Sequence, residues 1–245
     1  MIKLTAQVMS TLLAGFVLAT TVAAQTELPT LGCMLEPSKK VEVSSPVPGV
    51  LETVSVKRGD RISAGNTLFQ LKVGVEQARV GLAKVKAEFA QRRLERNTEL
   101  YEEELISIHE RDEIETELLL AQMELKLKEQ ELALRTVVSP LTGVVVDRLR
   151  DKGEYVNIDP VIRLATLDPL HVDLLLSSDL FGQISVGQNL LISAAPALME
   201  ARGARVTTVD PLIDPASGTF RVRLEMKNSA NKIPAGLRCT VRRTQ

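Results

Sequence analysis

Aromatic, cysteine and histidine residues are scarce in this chain of 245 residues. Aromatic side chains make up 3% of it, tryptophan is absent, and there are two cysteines and two histidines. His109 and His171 are isolated in sequence, and the chain has no P-loop, no Gly-x-Ser-x-Gly elbow and no cysteine–histidine metal spacing. The methionines are scattered, so they offer no cluster for a soft metal ion. These absences argue against an enzyme, and we expect no cofactor and no metal site.

Long apolar runs are missing after the N-terminus, and the formal net charge of −1 gives no general attraction to nucleic acid. The chain opens with Lys3, an apolar run over residues 11–19 and small residues ahead of Gln25, a pattern typical of a secretory signal peptide over residues 1–24. The run is too short to span a bilayer comfortably, so an uncleaved anchor is the less favoured alternative, as is a lipoprotein signal ending at Cys33. We therefore expect an exported protein.

Proline and glycine mark a repeat. The stretch "SPVPGVLETVSVKRGDRISAGNTLFQL" begins at Ser45, and "SPLTGVVVDRLRDKGEYVNIDPVIRLA" begins at Ser139, and the two align without a gap. Their turn residues and intervening apolar residues predict short strands joined by tight turns. Since each copy is too small to bury its own apolar face, the two are predicted to pack as halves of one sandwich. The alternative is two unrelated hairpins that share turn chemistry.

The segment between the two copies, residues 74–137, contains no proline and only two glycines. Its apolar residues follow helical spacing, which predicts two antiparallel helices with a turn near residues 101–109. Each arm has about 27 residues, and so a length of about 40 Å at a rise of 1.5 Å per residue. The predicted seam between the arms comprises Ala78, Leu82, Val85 and Phe89 on the first arm and Ile114, Leu118, Ala121, Leu125, Lys128 and Leu132 on the second.

The second arm carries another heptad series, Leu120, Leu127 and Leu134, offset by two residues from the seam. Two residues at about 100° each put this series on nearly the opposite face, where a single partner helix cannot cover it. The series therefore predicts self-association, with neighbouring copies packed side by side. The alternative is a broad face that is partly covered by loops.

A duplicated half-motif that flanks a helical hairpin, behind a signal peptide, resembles the periplasmic adaptor subunits, or membrane fusion proteins, of resistance-nodulation-division tripartite efflux pumps. The resemblance covers residues 37–245 and includes "DPASGTFRVR" and "IPAGL", which are similar in type to segments of the family's barrel domain. It implies a mixed α and β fold. A split lipoyl-like β-sandwich (45–73 and 138–166) would carry an inserted α-helical coiled-coil hairpin (74–137), with residues 25–44 joining it to a small β-barrel (167–245).

The resemblance also implies a function. Copies of the chain would form a ring in the periplasm and link an inner-membrane efflux transporter to an outer-membrane channel, as a sealed conduit for an unspecified substrate. Family members usually continue into a membrane-proximal domain after the barrel, whereas this sequence ends at Gln245. We therefore expect the barrel to make most of the contact with the transporter. The alternatives are an adaptor of an ABC-type exporter or of a secretion system, and a lipoyl or biotinyl carrier. A carrier is disfavoured because Lys72 lacks the expected tight-turn setting.

At the predicted tip, "RNTELYEEELIS" resembles the pattern by which family members dock to the channel, with Arg96, Leu100 and Ser107 at the matching positions. Asp112 follows at a place where an acid is common. The resemblance implies that these four residues form the channel-docking tip. The alternative is that Leu100 only closes the coiled coil and Arg96 is a solvated charge.

The two cysteines, Cys33 and Cys239, lie near opposite ends of the mature chain. An even count in an oxidising compartment permits a disulfide, and two buried free thiols are the alternative. A barrel that closes through its N-terminal segment could bring Cys33 to the last predicted strand, which holds Cys239. We therefore predict a disulfide between them.

Overall fold

The computed structural model describes residues 27–243, so the predicted signal peptide lies outside the described residues. These residues form twelve strands, two long helices and a short 3-10 helix. In chain order the elements are β1 (Thr30–Ser44), β2 (Gly49–Val54), β3 (Arg61–Ile62), β4 (Thr67–Leu71), α1 (Gly74–Glu102), α2 (Ile108–Ala133), β5 (Thr136–Val138), β6 (Gly143–Arg148), β7 (Tyr155–Val156), β8 (Pro160–Ser177), the 3-10 helix (Ser178–Leu180), β9 (Asn189–Ala194), β10 (Leu198–Val209), β11 (Thr219–Met226) and β12 (Thr240–Arg243).

The two copies of the repeat exchange a short strand. β3 of the first copy pairs with β6 of the second, and β7 of the second pairs with β2 of the first. The pairing is equivalent in both places, with Ile62 opposite Gly143 and Val156 opposite Gly49. A Cβ atom at Gly143 would collide with the backbone of Ala165, so the close strand approach requires glycine there. Neither copy completes its sheet without the other.

The turns of the two copies also match in detail. The hydroxyl groups of Ser45 and Ser139 each donate a hydrogen bond to the carbonyl oxygen two residues later, at 2.6 Å in both cases. Gly59 and Gly153 have φ values of 91° and 92°, in the left-handed region that favours glycine. Two unrelated hairpins would not share strand exchange, turn bonds and backbone angles, so the repeat is a structural duplication.

A single apolar core joins the two copies, since buried side chains of both pack in one cluster. Leu68 and Phe69 come from the first copy, and Val161 and Leu164 from the second, all fully buried. The four-stranded sheet β5-β4-β2-β7 and the β3-β6-β8 end of the larger sheet enclose this core. We call this part the doubled β unit.

A second core lies inside a barrel that continues from the same long strands. Its strands follow the order β12-β9-β10-β11-β8, with β1 paired to the other edge of β8. The segment around β1 closes the barrel against the C-terminal segment, because Leu28 N donates to Val241 O at 2.9 Å and Leu35 N donates to Leu237 O at 2.8 Å. The long strands β1 and β8 run along both cores and connect the two β parts without a linker.

A disulfide joins Cys33 and Cys239 at this closure. Their Cα atoms are 5.0 Å apart, within the usual range for a disulfide, and Cys239 N donates to Cys33 O at 3.0 Å. The bond links residues that are 206 positions apart, and it is the pairing that the sequence analysis predicted.

The helices α1 and α2 run antiparallel, joined by a turn over residues 103–107. On α2, Ile114 and Leu118 are buried against α1, and the other residues predicted for the α2 seam are half-buried. Lys128 lies among them and forms an ion pair with Glu131 at 3.0 Å. Neither helix, nor any other helix of residues 27–243, has the length and apolar character needed to cross a membrane.

The predicted seam of α1 is wrong. Ala78, Leu82, Val85 and Phe89 are exposed, and the buried residues are instead Ala83, Ala87 and Ala90, together with Glu76 near the base. Both sets follow heptad spacing, so periodicity alone could not separate them. The alanine side chains are small, so they allow α1 and α2 to approach each other closely along this part of the seam.

Candidate functional site: the tip, faces and base of the hairpin

The tip of the hairpin is a short, tightly bonded turn. Leu105 N donates to Leu100 O at 2.9 Å, and Glu104 adopts a positive φ of 61°. This turn reverses the chain between the helices and holds Leu100 at the end of α1, where its side chain is 38% exposed. Leu100 therefore neither belongs to the buried seam nor stands fully free of the hairpin.

Ser107 has a structural role that the sequence analysis did not assign. It is the N-cap of α2, and its hydroxyl oxygen accepts a hydrogen bond from Glu110 N at 3.2 Å. The signal was present as Ser-x-x-Glu ahead of the helix, which is the capping-box pattern. The hydroxyl hydrogen of Ser107 is not used by this bond and can still be donated.

Arg96 and Asp112 are both exposed near the tip, and neither forms an ion pair with another described residue. Arg96 lies four residues before Leu100, so these two side chains share one side of α1. Ser107 and Asp112 lie across the turn, at the start of α2. The structure therefore gathers all four predicted tip residues in the same end of the hairpin.

Two further apolar residues at the tip were missed. Leu105 is 65% exposed and Ile108 is 45% exposed, so with Leu100 they form an apolar end within a strongly acidic segment. The sequence could have indicated these two residues, because they are apolar side chains in a turn that is otherwise rich in glutamate. Exposed apolar groups at the end of a long projection suit contact with another protein.

Each outer face of the hairpin has an exposed apolar stripe. The α2 stripe was predicted, and its residues are between 44% and 65% exposed. The α1 stripe contains two residues that failed to form the seam, Leu82 and Phe89, together with Val75, and its members are between 54% and 62% exposed. We define the α1 stripe as Val75, Leu82 and Phe89, and the α2 stripe as Leu120, Leu127 and Leu134.

A buried ion pair holds the base of the hairpin on the doubled β unit. Arg135 Nη2 lies 2.7 Å from Glu76 Oε1, and the two side chains are 20% and 10% exposed. Arg135 Nη1 also donates to Pro48 O at 3.1 Å. These contacts join the first turn of α1, the end of α2 and the start of the repeat, so they orient the hairpin relative to the β part. The sequence analysis did not identify them.

A charged pair joins two neighbouring strands of the barrel, β8 and β11. Arg223 on β11 donates two hydrogen bonds to the Asp173 carboxylate on β8, at 2.7 and 2.9 Å. The hydrogen bond from Arg223 lowers the pKa of Asp173 against the opposing effect of burial, and the same bond raises the pKa of Arg223. This bidentate pair stabilises the registry of two neighbouring barrel strands.

The fold is similar to that of several solved proteins. The crystal structure of a MacA–MexA chimera that contains the α-hairpin domain of Pseudomonas aeruginosa MexA covers 86% of this chain and 79% of its own, with a TM-score of 0.75 and 18% identity. The membrane fusion protein Spr0693 from Streptococcus pneumoniae R6 covers 89% of this chain and 100% of its own, with a TM-score of 0.71 and 16% identity.

The barrel segment has a more specific match. Residues 172–245 match the family described as CusB-like, beta-barrel domain. Among curated relatives, the antibiotic efflux pump periplasmic linker protein ArpA of Pseudomonas putida is 27% identical over 135 residues, which are 54% of this chain and 36% of that protein. The chain spans between 35% and 50% of the length of the curated relatives it matches. These comparisons confirm the resemblance to periplasmic adaptor subunits.

Proposed function

We propose that the chain is a periplasmic adaptor that links an inner-membrane efflux transporter to an outer-membrane channel, and that it does so without catalysing a reaction. The observation that carries this proposal is the hairpin itself. It projects from the doubled β unit, ends in exposed apolar residues and occurs in a fold shared with membrane fusion proteins. Relatives named as efflux pump periplasmic linkers add support.

In this proposal the parts of the chain have separate tasks. Residues 45–73 and 138–166 form a split lipoyl-like domain, residues 74–137 a coiled-coil hairpin that points at the channel, and residues 167–245 a barrel that contacts the transporter. Residues 25–44 join the barrel to the lipoyl-like domain. This division is supported by the two separate apolar cores and by the pair of helices inserted between β4 and β5.

We assign the chain to the periplasm, exported by a signal peptide over residues 1–24. The disulfide between Cys33 and Cys239 supports this location, because disulfides persist in oxidising compartments such as the periplasm. Association with the inner membrane would come through the transporter.

At the channel end, Leu100 would supply apolar burial, and Arg96 and Ser107 would supply hydrogen bonds to groups at the periplasmic end of the channel. Asp112 and the neighbouring acids would guide the encounter with a basic rim, because charged surfaces mainly affect association rates. Leu105 and Ile108 extend the apolar contact beyond the residues found by pattern.

We further propose that several copies form a ring, so that substrate crosses the periplasm in a closed conduit. The exposed Leu120, Leu127 and Leu134 support lateral contact between hairpins, since a hairpin on its own leaves them in water. The energy for transport would come from the transporter.

In-cell photo-crosslinking tests the adaptor role directly. A photoreactive amino acid at Leu105 of the full chain should capture an outer-membrane channel protein, identified by mass spectrometry, and deletion of the gene should raise sensitivity to exported compounds. The same amino acid at Ile158, which is 81% exposed on the doubled β unit, is the control for non-specific capture. Unchanged sensitivity together with no captured channel would contradict the proposal.

A further inference from the structure

The outer face of the barrel has an apolar gap at the end away from the doubled β unit. Side chains alternate along each strand, so Leu174 on β8 faces the barrel core and Leu175 faces outwards. Gly32 on β1 and Arg221 on β11 lie opposite Leu175, one on each side of it. Because Gly32 has no side chain, it leaves a gap beside Leu175, which is 38% exposed.

A β-bulge places a further apolar side chain at this gap. The register of β1 against β8 shifts between Thr30 and Gly32, so Leu31 is an extra residue in β1, and its side chain is 67% exposed. Bulges of this kind re-aim a side chain and are common next to active sites. A cavity of about 450 Å³ lies over the gap. We call its apolar surface the trough, which is formed by Leu31, Gly32, Met34 and Leu175.

A second cavity, of about 610 Å³, continues the trough along the barrel and shares Leu175 and Arg221 with the first. Its apolar walls include Leu212 and Ile213, which are 81% and 40% exposed. The loop that carries them is held in shape, because the Asp214 carboxylate accepts hydrogen bonds from two backbone N–H groups of the same loop, at 2.8 and 3.2 Å. Apolar cavities of this size with a few polar groups are typical of small-molecule sites.

Two arginines in the first cavity have no acidic partner. The side chains of Arg221 and Arg238 both line it, and neither forms a hydrogen bond or an ion pair with another of residues 27–243. The next outward residue of β11, Arg223, is instead bonded to Asp173, which is the one acid of this cavity. Since that acid is already paired, two guanidinium groups are left for a ligand.

The second cavity has no such excess of positive charge, because Asp210 and Asp214 border it. An anionic head group therefore favours the first cavity, where guanidinium groups bind carboxylates and sulfates through charge-assisted hydrogen bonds. With its head group at Arg221 and Arg238, a ligand would extend its apolar part over Leu175 and towards the second cavity.

We propose that the trough binds an amphipathic organic anion. The carboxylate or sulfate of this anion lies at Arg221 and Arg238. Its hydrocarbon part lies over Leu31, Gly32 and Leu175. Free fatty acids and anionic lipids share this chemistry. The inference goes beyond the adaptor role, because it gives the barrel a ligand of its own and requires neither the transporter nor the channel.

Isothermal titration calorimetry of the purified full chain with decanoate, below the concentration at which micelles form, tests the proposal. Decanoate should bind at a single site, and affinity should fall about two- to four-fold for each methylene group removed on going to octanoate. Decyl maltoside has the same hydrocarbon chain and no charge, so it should bind about five-fold more weakly or less. Arg221→Gln and Arg238→Gln should each weaken decanoate binding about five-fold, the upper range for an exposed ion pair.

Gly32→Val tests the location of the site. Among residues 27–243, a Cβ atom at Gly32 would meet only the Cβ atom of Leu175, at 3.6 Å, so a larger side chain can fill the trough without a backbone collision. The variant should lose decanoate binding and keep the melting temperature of the parent. The matched control is Gly203→Val on β10, where a Cβ atom would meet no described atom within 4 Å, and this variant should bind decanoate as the parent does.

Several results would overturn the proposal. Undiminished binding by Gly32→Val would place the anion elsewhere. Equal affinity for decanoate and decyl maltoside, or full affinity in both arginine variants, would show that charge is not recognised. Absence of decanoate binding would also overturn it, and capture of an inner-membrane transporter by a photoreactive amino acid at Leu175 would then assign the trough to contact with that protein.

Vesicles distinguish the two sources of such an anion. If a lipid is the natural ligand, the parent should sediment with phosphatidylglycerol vesicles and not with phosphatidylcholine vesicles, and Gly32→Val should stay in solution. Decanoate binding without sedimentation would assign the trough to free amphiphiles. All of these measurements use the chain alone, so capture of a channel at Leu105 without decanoate binding would refute the ligand site and leave the adaptor role standing.

Discussion

At the residue scale, the proposed docking to a channel depends most on the side chain of Leu100. It is partly exposed at the end of α1, so a polar replacement removes apolar contact without opening the seam. Loss of one apolar anchor from a small interface commonly costs about 2 kcal/mol or more. Leu100→Asp should therefore abolish export of the substrate while the protein level stays normal, as measured by drug susceptibility and immunoblotting.

The matched control for Leu100→Asp is Ile158→Asp, which makes the same chemical change at an exposed residue far along the chain. This variant should retain export. Full export by Leu100→Asp at normal protein level would remove the tip from the docking mechanism.

The pair formed by Asp173 and Arg223 gives a prediction about the pH dependence of stability. Because the pKa of Asp173 is lowered in the folded state, its stabilising contribution is complete above the unfolded-state value of about 3.9 and is lost as pH falls through the folded-state value. Asp173→Asn should lower the free energy of unfolding at pH 7 by about 1 kcal/mol, since Arg223 is partly screened by solvent. The variant should also lose less stability than the parent below pH 4 in urea titrations.

The control for this pair is Glu42→Gln, which removes the negative charge from a more exposed pair with Arg163 at 2.8 Å. It should change the free energy of unfolding by less than Asp173→Asn at pH 7. Equal changes in the free energy of unfolding for the two substitutions would show that the Asp173–Arg223 pair stabilises the protein no more than an exposed pair does.

At the scale of the element, α1 shows how two heptad stripes compete for one partner. The alanine stripe is buried and the stripe of large side chains is exposed, so the two should respond oppositely to substitution. Ala87→Leu should destabilise the hairpin by about 1–3 kcal/mol through overpacking. Leu82→Ala should change stability by less than about 0.5 kcal/mol, because its side chain is mostly in solvent.

Thermal unfolding followed by circular dichroism, at a concentration where the chain is monomeric, measures both α1 variants. The comparison also identifies which stripe faces α2 in solution. A larger loss of stability for Leu82→Ala than for Ala87→Leu would contradict the seam described above.

At the scale of the whole molecule, the disulfide ties β1 to Cys239, the residue just before the last strand of the barrel, β12. A bond across 206 residues restricts the unfolded chain strongly, and removal of such a bond typically costs about 2–5 kcal/mol. Replacement of both Cys33 and Cys239 by serine should therefore lower the melting temperature of the barrel markedly. Reductant should lower it in the parent and have no effect on the variant, and identical melting of parent and variant would refute this role.

The duplication, the helical interval and the length of the arms could be predicted from local residue patterns. Proline and glycine at equivalent positions indicated the turns, because turns depend on local backbone angles such as the positive φ of Gly59 and Gly153. Heptad spacing and the absence of proline indicated the two helices, because helix formation also depends on local sequence. The resemblance to periplasmic adaptors added the barrel and the tip pattern to what these local signals establish.

Which surfaces meet depends on contacts between residues distant in sequence, and these have no local pattern. Heptad spacing on α1 is compatible with two stripes, and which of Leu82 and Ala83 lies in the seam depended on how the packed helices α1 and α2 face each other. The pairing of Glu76 with Arg135, across 59 residues, has no local signal in the sequence. The exchange of β3 and β7 between the copies likewise depends on contacts distant in sequence, because a short strand pairs with whichever edge the completed core presents.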